Sequence, residues 1–435
     1  MAARGLVIAG LSSGSGKTTI TLGLLRALQR QGYDIFPAKT GPDYIDAAFL
    51  SAASGKKAVN LDAFAMHEDM VRSLASNCEG ETLIIEGVMG LFDGTIGGAG
   101  STAHLAQLLH LPVVLVIDAR HQAQTAAAIA SGIRHELGEN ATLAGVILNR
   151  IASPRHLNLI ADALAKRDIP LLGALPADHN ITIPSRHLGL VQAADLTAMG
   201  QLDHIIDAAA DLMTAHIDLS KLLAAAKPMA AATVNHNGDI KAPGQRIAVA
   251  QDVAFGFSYT HMLDKWRQDG AEILPFSPLK DESPASDVDF VFLPGGYPEL
   301  HLPTLSKATN FMTGVRDLAT RGIPIYGECG GFMTLGNAVI DKDGTRFEML
   351  SLLDLETSFS QRKLNLGYRY LTPVETLTWL DSRQTRLTAH EFHYTTAIKQ
   401  SGSPLFHAHN AAGESLGSIG LVKGSVSGSY AHIIA

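Results

Sequence analysis

Along the first half of the chain, short continuous apolar runs alternate with longer stretches whose apolar residues recur at helical spacing. The runs are residues 6–9, 82–86 (TLIIE), 112–118 (PVVLVID) and 144–149 (AGVILN). Apolar runs without polar alternation suit strands buried on both faces of a parallel sheet. Between them, residues 18–31 place Ile20, Leu24, Leu25 and Leu28 on one helical face, and Gly32 stands where a helix would end. Residues 123–135, 156–167 and about 197–227 also read as helical. Strand alternating with helix predicts a doubly wound α/β domain. Residues 227–245 (KPMAAATVNHNGDIKAPGQ) lose all periodicity and read as a linker. The pattern restarts at residues 246–250 (RIAVA) and continues through 289–293 (DFVFL) and 323–326 (IPIY), which predicts a second α/β unit. The expected division is 1–226, a linker 227–245, and 246–435.

A chain of 435 residues, 46% hydrophobic and 17% charged, is long enough for two such cores and too apolar for disorder. Its net charge of -8 and lack of a basic cluster argue against nucleic acid as a partner. No apolar stretch reaches the roughly 20 residues of a membrane span. The amino-terminal segment lacks the layout of a signal peptide, and there are only two cysteines, Cys78 and Cys329. A cytoplasmic protein without disulfides is expected.

The strongest local motif is GLSSGSGKTT, residues 10–19, set between a predicted strand and a predicted helix. Gly14, Ser15 and Gly16 let backbone N–H groups approach phosphate oxygens, and the following helix start adds a positive dipole end. Lys17 is expected to reach the terminal phosphates of ATP, Thr18 to hold Mg²⁺, and Thr19 to complete the loop. The strict pattern would place a glycine at position 11, where this chain has Leu11 after Gly10.

Two acidic segments follow predicted strands. TGPDYID holds Asp43, Tyr44 and Asp46; IIEGVMGLFDG holds Glu86 and Asp93. In open α/β sheets ligands bind beyond the carboxyl ends of the strands, so these groups can converge on the phosphate loop. Carboxylates beside ATP need a cation to offset them, which makes Asp43 and Glu86 metal candidates with Thr18. Asp43, Tyr44, Asp46 and Asp93 are candidates for contacts to the substrate; ordinary turn and cap roles compete, most of all for Asp46 and Asp93. Asn149, ending its strand, is a candidate to read the adenine edge, and Asp118 fits a turn.

In the second half, IPIYGECGGFMTLG carries Gly327-Glu328-Cys329-Gly330-Gly331 between a strand and a helix. This is a thiol version of the nucleophile elbow. A helix start behind the sulfur would favour thiolate. LPGGYPEL supplies Gly295 and Gly296 after a strand, so the N–H groups of Gly296 and Gly330 are expected to form an oxyanion hole. Position alone leaves His390, His393 and His432 open as the base.

Taken together, GKTT, TGPDYID, EGVMGLFDG, LPGGYPEL, GECGGFM, LGYRY, HEFHY and a terminal SYAHI resemble the cobyrinic and hydrogenobyrinic acid a,c-diamide synthase family, in order and over essentially the whole chain. The resemblance implies a dethiobiotin-synthetase-like P-loop domain and a flavodoxin-like class I glutamine amidotransferase domain. It implies amidation of two corrin side-chain carboxylates in cobalamin biosynthesis, with ATP, Mg²⁺ and L-glutamine, through an acyl phosphate and ammonia shielded from water. It implies Cys329 as nucleophile and His432 as its base. Many class I glutaminases carry His-x-Glu, whereas His432 is followed by Ile433 and Ile434; a dyad, or an orienting group from elsewhere, is implied. The texture of RGLVIAGLSSGSGKTT is more like members acting on the cobalt-free macrocycle. Alternatives are a sister amidase acting on nickel-sirohydrochlorin, a cobyric acid synthase, and a P-loop switch ATPase. The last needs an early loop lysine where this chain has Ser12. A homodimer is left open.

Overall fold

The protein is described by a computed structural model covering residues 4–78, 80–178, 181, 193–198, 200–229, 240–361, 363–381 and 385–435. It divides into two compact units, Met1–Asn237 and Gly238–Ala435. Part of the expected linker, residues 230–239, lies outside the described residues.

The first unit is built on strands β1 (Arg4–Gly10), β2 (Ile35–Thr40), β3 (Val59–Leu61), β4 (Thr82–Glu86), β5 (Val113–Asp118), β6 (Leu143–Ile151) and β7 (Leu171–Pro176). They lie in the order β3-β2-β4-β1-β5-β6-β7 and pair in parallel. A short strand β8 (Lys227–Pro228) pairs antiparallel with β1. Leu6, Val7, Ile8, Leu83, Ile84, Ile85 and Val113 to Ile117 are buried, which is why these runs carry no polar alternation. Helix α1 (Lys17–Arg30) ends as the spacing predicts: Gly32 adopts φ 82, and the Tyr33 N–H bonds back to the Leu28 carbonyl. Helix α2 is Tyr44–Ser54. The helical stretch expected over 197–227 is broken into Leu202–His216 and Leu219–Ala224, preceded by Ala193–Ala198. Asp218 makes the break, because its side chain caps the later helix at the Lys221 N–H.

The second unit has a sheet of β9 (Arg246–Ala250), β10 (Glu272–Phe276), β11 (Phe290–Leu293) and β12 (Ile325–Glu328), in the order β10-β9-β11-β12. These strands are parallel; Val426–Ser429 continues the parallel pairing and Leu421–Lys423 closes the sheet antiparallel. Beyond it the chain forms a largely antiparallel layer that the apolar pattern did not reveal. Five strands order Ser415–Ile419, Phe406–Asn410, Asn365–Pro373, Leu387–His393 and His432–Ile433. Four more run Arg346–Glu348, Ala338–Ile340, Leu355–Ser358 and Thr396–Gln400. Among the described residues, no helix is long and apolar enough to cross a membrane.

Candidate active sites

In the first unit, adjacency of β1, β4 and β2 decides which side chains meet. Gly14 (φ 78) and Gly16 (φ 96) take left-handed conformations that a side chain resists, so the chain wraps tightly before α1. A Cβ on Gly16 would sit 2.2 Å from the Asn149 amide nitrogen. Asn149, buried at the end of β6, donates to the Ser15 carbonyl at 2.9 Å. Its observed partner is the loop backbone. Arg150 braces the same loop, donating to the Gly14 carbonyl at 3.1 Å and pairing with Asp118 at 2.6 Å.

Lys17 donates to the carbonyls of Ser12 at 3.1 Å and Met89 at 2.5 Å. Burial lowers its pKa against the pull of Glu86. Thr18 donates to Glu86 Oε1 at 2.6 Å, joining the loop to the end of β4. Thr19 follows in the first turn of α1. Glu86 is fully buried, and burial raises its pKa although a lysine lies beside it. Its Oε2 is buried with no hydrogen-bond partner among the described residues. A hydroxyl and an unsatisfied buried carboxylate oxygen at a phosphate loop fit a divalent cation that also takes phosphate and water ligands.

Asp43 caps α2, with Oδ1 accepting from the N–H groups of Ile45 and Asp46 at 3.0 Å each. That is a structural role, and burial together with Asp46 pushes its carboxyl up to about 7. Tyr44 is buried as the first residue of the helix. Asp93 is engaged locally, accepting from the Gly90 N–H at 2.8 Å and closing the loop whose Met89 carbonyl holds Lys17.

Sequence reasoning missed Lys39. It is the penultimate residue of β2, almost fully buried, 2.6 Å from Asp46 Oδ2, 3.1 Å from Glu86 Oε1 and 4.0 Å from Asp43 Oδ2. Burial alone would lower its pKa, but the three carboxylates overcome that and raise it. Burial likewise works against the Asp46 charge, and Lys39 outweighs it, holding Asp46 below the usual carboxylate range. Lys39 is therefore a fixed cation beside the phosphate loop. Its signal was a lone lysine near the end of a short strand before GPD, which acquires meaning only when β2 and β4 are known to be neighbours.

In the second unit, Cys329 sits at the turn from β12 into the Gly330–Leu335 helix with φ 45 and ψ -103, a strained elbow. Its N–H bonds the Ser429 carbonyl at 2.9 Å. The glycines around it are required by contact: a Cβ on Gly331 would lie 1.9 Å from the Leu293 carbonyl oxygen, and one on Gly296 2.0 Å from that of Ala254. A Cβ on Gly330 would come within 3.1 Å of the Gly296 nitrogen, so the two expected oxyanion donors are close neighbours. A Cβ on Gly295 would meet the His432 ring at 2.1 Å and the Cys329 Cβ at 3.2 Å. Cys329 and His432 therefore flank one glycine.

The three histidines are distinguished by their surroundings. His393 stacks on Tyr430 at 3.9 Å between centroids and its Nδ1 lies 3.1 Å from the Thr395 carbonyl. His390 packs edge-on to Tyr368 and pairs in register with His432. Burial depresses all three, His390 and His393 to about 4 and His432 to about 3. Beside Cys329 there is thus a neutral imidazole.

The thiol itself departs from expectation. Burial pushes its pKa well above the usual cysteine range, and the carboxylates of Glu299, Glu328 and Glu391 add to that. The Gly330 N–H opposes the rise, yet a helix of six residues does not outweigh burial. The resting sulfur is a thiol, so its proton must leave as it attacks. Cys78 is buried and inert, its thiol pushed up to about 12 by burial.

A buried carboxyl group precedes the nucleophile in sequence and lies close to His432. Glu328 Oε2 is 3.7 Å from His432 Nδ1, and Glu328 Oε1 accepts from the Ile433 N–H at 3.0 Å.

Comparison with known proteins agrees with this division of chemistry. The family described as CobQ/CobB/MinD/ParA nucleotide binding domain matches residues 6–191, and the CobB/CobQ-like glutamine amidotransferase domain matches residues 246–435. Hydrogenobyrinate a,c-diamide synthase of Brucella abortus is 48% identical over 436 residues, covering 99% of this chain and 98% of that one. The proteins of the same name from Rhizobium meliloti and Rhodobacter capsulatus are 48% and 45% identical, each covering 99% of both chains.

Proposed function

The chain belongs to the hydrogenobyrinate a,c-diamide synthase family, and on that premise we propose that it amidates the a and c side-chain carboxylates of hydrogenobyrinic acid in cobalamin biosynthesis. It acts as a cytoplasmic carbon–nitrogen ligase using ATP and glutamine. The observation that carries the reading is the pairing, on one chain, of a phosphate loop backed by Lys17, Thr18 and Glu86 with a thiol flanked by a neutral histidine.

In the first unit, backbone N–H groups of residues 14–19 bind the phosphates of ATP and Lys17 holds the γ-phosphoryl group. Thr18 and Glu86 would hold Mg²⁺, which supplies neutralisation of the phosphate charge. Lys39, fixed among Asp43, Asp46 and Glu86, offsets part of their negative charge beside the phosphate loop. The carboxylate oxygen attacks the γ-phosphorus, ADP leaves, and an acyl phosphate results. Asn149 and Arg150 hold the loop in place by its Ser15 and Gly14 carbonyls.

In the second unit, Cys329 Sγ attacks the side-chain amide carbon of glutamine while His432 takes the sulfur's proton. The N–H groups of Gly296 and Gly330 receive the oxyanion. His432 then protonates the departing nitrogen, ammonia is released, and water hydrolyses the thioester to glutamate and free thiol. Ammonia attacks the acyl phosphate, expelling inorganic phosphate and forming the amide.

The test is an amidation assay. Purified protein with ATP, Mg²⁺ and glutamine is offered hydrogenobyrinic acid, cobyrinic acid and nickel-sirohydrochlorin separately, and the products are counted by mass. Two amides on hydrogenobyrinic acid are expected. Amidation of either other macrocycle with none on hydrogenobyrinic acid would contradict the substrate assignment.

A further inference from the structure

The terminal His432 lacks the acidic partner two residues on that many such thiol sites use, and the fold supplies a candidate from the opposite direction in sequence. Glu328 is the last residue of β12, immediately before the nucleophile, and is 2% exposed. A buried carboxyl group is costly unless it has a partner. Two features of its surroundings give it one. Its Oε1 accepts the Ile433 N–H at 3.0 Å, pinning the two-residue strand that bears His432. Its Oε2 faces Nδ1 of the neutral His432 ring at 3.7 Å, slightly long for a hydrogen bond. Catalytic contacts of this kind tighten once substrate is bound.

We propose that Glu328 is the positioning residue of the glutaminase site: its carboxylate holds His432 with Nδ1–H toward itself, leaving Nε2 to take the Cys329 proton. This rests on the reading of Cys329 and His432 as a glutaminase pair. Nε2 and the Cys329 Cβ both lie against the position a Gly295 Cβ would take, at 2.8 Å and 3.2 Å, so the ring's other nitrogen is on the sulfur side. The arrangement performs the work of the usual triad acid, fixing the tautomer and stabilising the imidazolium that forms when sulfur gives up its proton. The acid here comes from the elbow itself rather than from the strand that carries the histidine.

The remaining surroundings of Glu328 are largely apolar. A cavity of about 20 Å³, room for one water, is lined by Glu328 with Phe292, Tyr326, Trp379 and Ile433. Lys241, itself paired to Asp381 at 3.1 Å, is the other charged group lining the same cavity. Burial in this setting raises the Glu328 carboxyl to about 8. Ionisation of the acid, and with it the productive tautomer, is therefore reached late in the neutral range. The groups facing the pair are the Tyr326 hydroxyl, Lys241 and Cys329 around Glu328, and His390, His393 and the hydrogen-bonded backbone of Phe257 around His432. Both of those histidines are held neutral down to about 4 and do not titrate in that range.

The test uses the full-length protein and measures glutamate release. Glu328→Gln keeps the shape and an oxygen for the Ile433 N–H but removes the charge. Its kcat should fall by up to about 10⁴-fold, the scale for neutralising the acid that fixes a catalytic histidine's tautomer, with KM for glutamine unchanged. The ascending ionisation in the wild-type pH profile should disappear. Glu328→Asp, which keeps the charge on a shorter arm, should recover part of kcat and the ionisation. Thermal midpoints establish that both variants are folded. A folded Gln variant with wild-type kcat and pH profile overturns the proposal. If that variant does not fold, the Asp variant decides, and a wild-type rate with no ionisation overturns it. Failure of the glutaminase reading itself is recognised separately, by glutamate release that survives in Cys329→Ala.

Discussion

Replacing Cys329 with alanine is expected to abolish glutamine-dependent amide formation while leaving synthesis from added ammonium salts intact. The effect on glutamate release should be on the order of 10⁵–10⁶-fold, the scale for removing a catalytic nucleophile. The reason lies in the resting state of the site. The sulfur is a buried thiol, raised by burial and by three carboxylates, and its base is an imidazole kept neutral by burial. Attack and proton transfer to His432 must occur together, and no other thiol can substitute, since Cys78 belongs to the first unit and is buried. The side chain removed is small and the elbow is held by backbone contacts of Gly296, Gly330 and Gly331, so the folded unit should persist. Parallel assays with glutamine and with ammonium chloride check this. Loss of both activities, with the protein still folded, would show that Cys329 does more than release ammonia.

The second large effect is expected at Lys17. Lys17→Ala should reduce amide formation roughly 10³-fold or more with either nitrogen source, the scale for removing a charge that acts on a transferring phosphoryl group. Glutamate release measured without macrocycle should continue. Lys17 is buried and already tethered to the Ser12 and Met89 carbonyls, so its ammonium is held at the loop before ATP arrives. Nearby Lys39 cannot take over, because Asp46 and Glu86 hold it at 2.6 Å and 3.1 Å. ADP formation and amide formation measured together locate the defect: both should fall. Wild-type ADP release without amide would place Lys17 outside the phosphoryl step.

What the sequence made legible followed from short-range physics. The parallel strands announced themselves because Val113 to Ile117 and Leu83 to Ile85 are buried on both faces. The phosphate loop and thiol elbow were legible because their glycines cluster in short motifs, where Gly16 takes φ 96 and a side chain on Gly327 would meet Gly331 and Leu335. Three things were not. The antiparallel layer of the second unit is half-exposed, as in Asn365–Pro373, where Leu371 is the one buried residue; its apolar signal is too sparse to read. Lys39 is meaningful only through pairing of β2 with β4. Glu328 and His432 stand more than a hundred residues apart and meet because Val426–Ser429 pairs with β12, placing the chain end beside the elbow. The protonated thiol was also hidden, since a helix start was visible in sequence and the depth of burial was not.

The central claim is that nitrogen released at Cys329 is the nitrogen placed on the carboxylate activated at Lys17. It is tested most directly by running the reaction with glutamine carrying ¹⁵N in its side-chain amide, in the presence of excess unlabelled ammonium, and weighing the product. The account predicts hydrogenobyrinic acid a,c-diamide labelled at both amides. Product carrying the unlabelled nitrogen at both positions would contradict it.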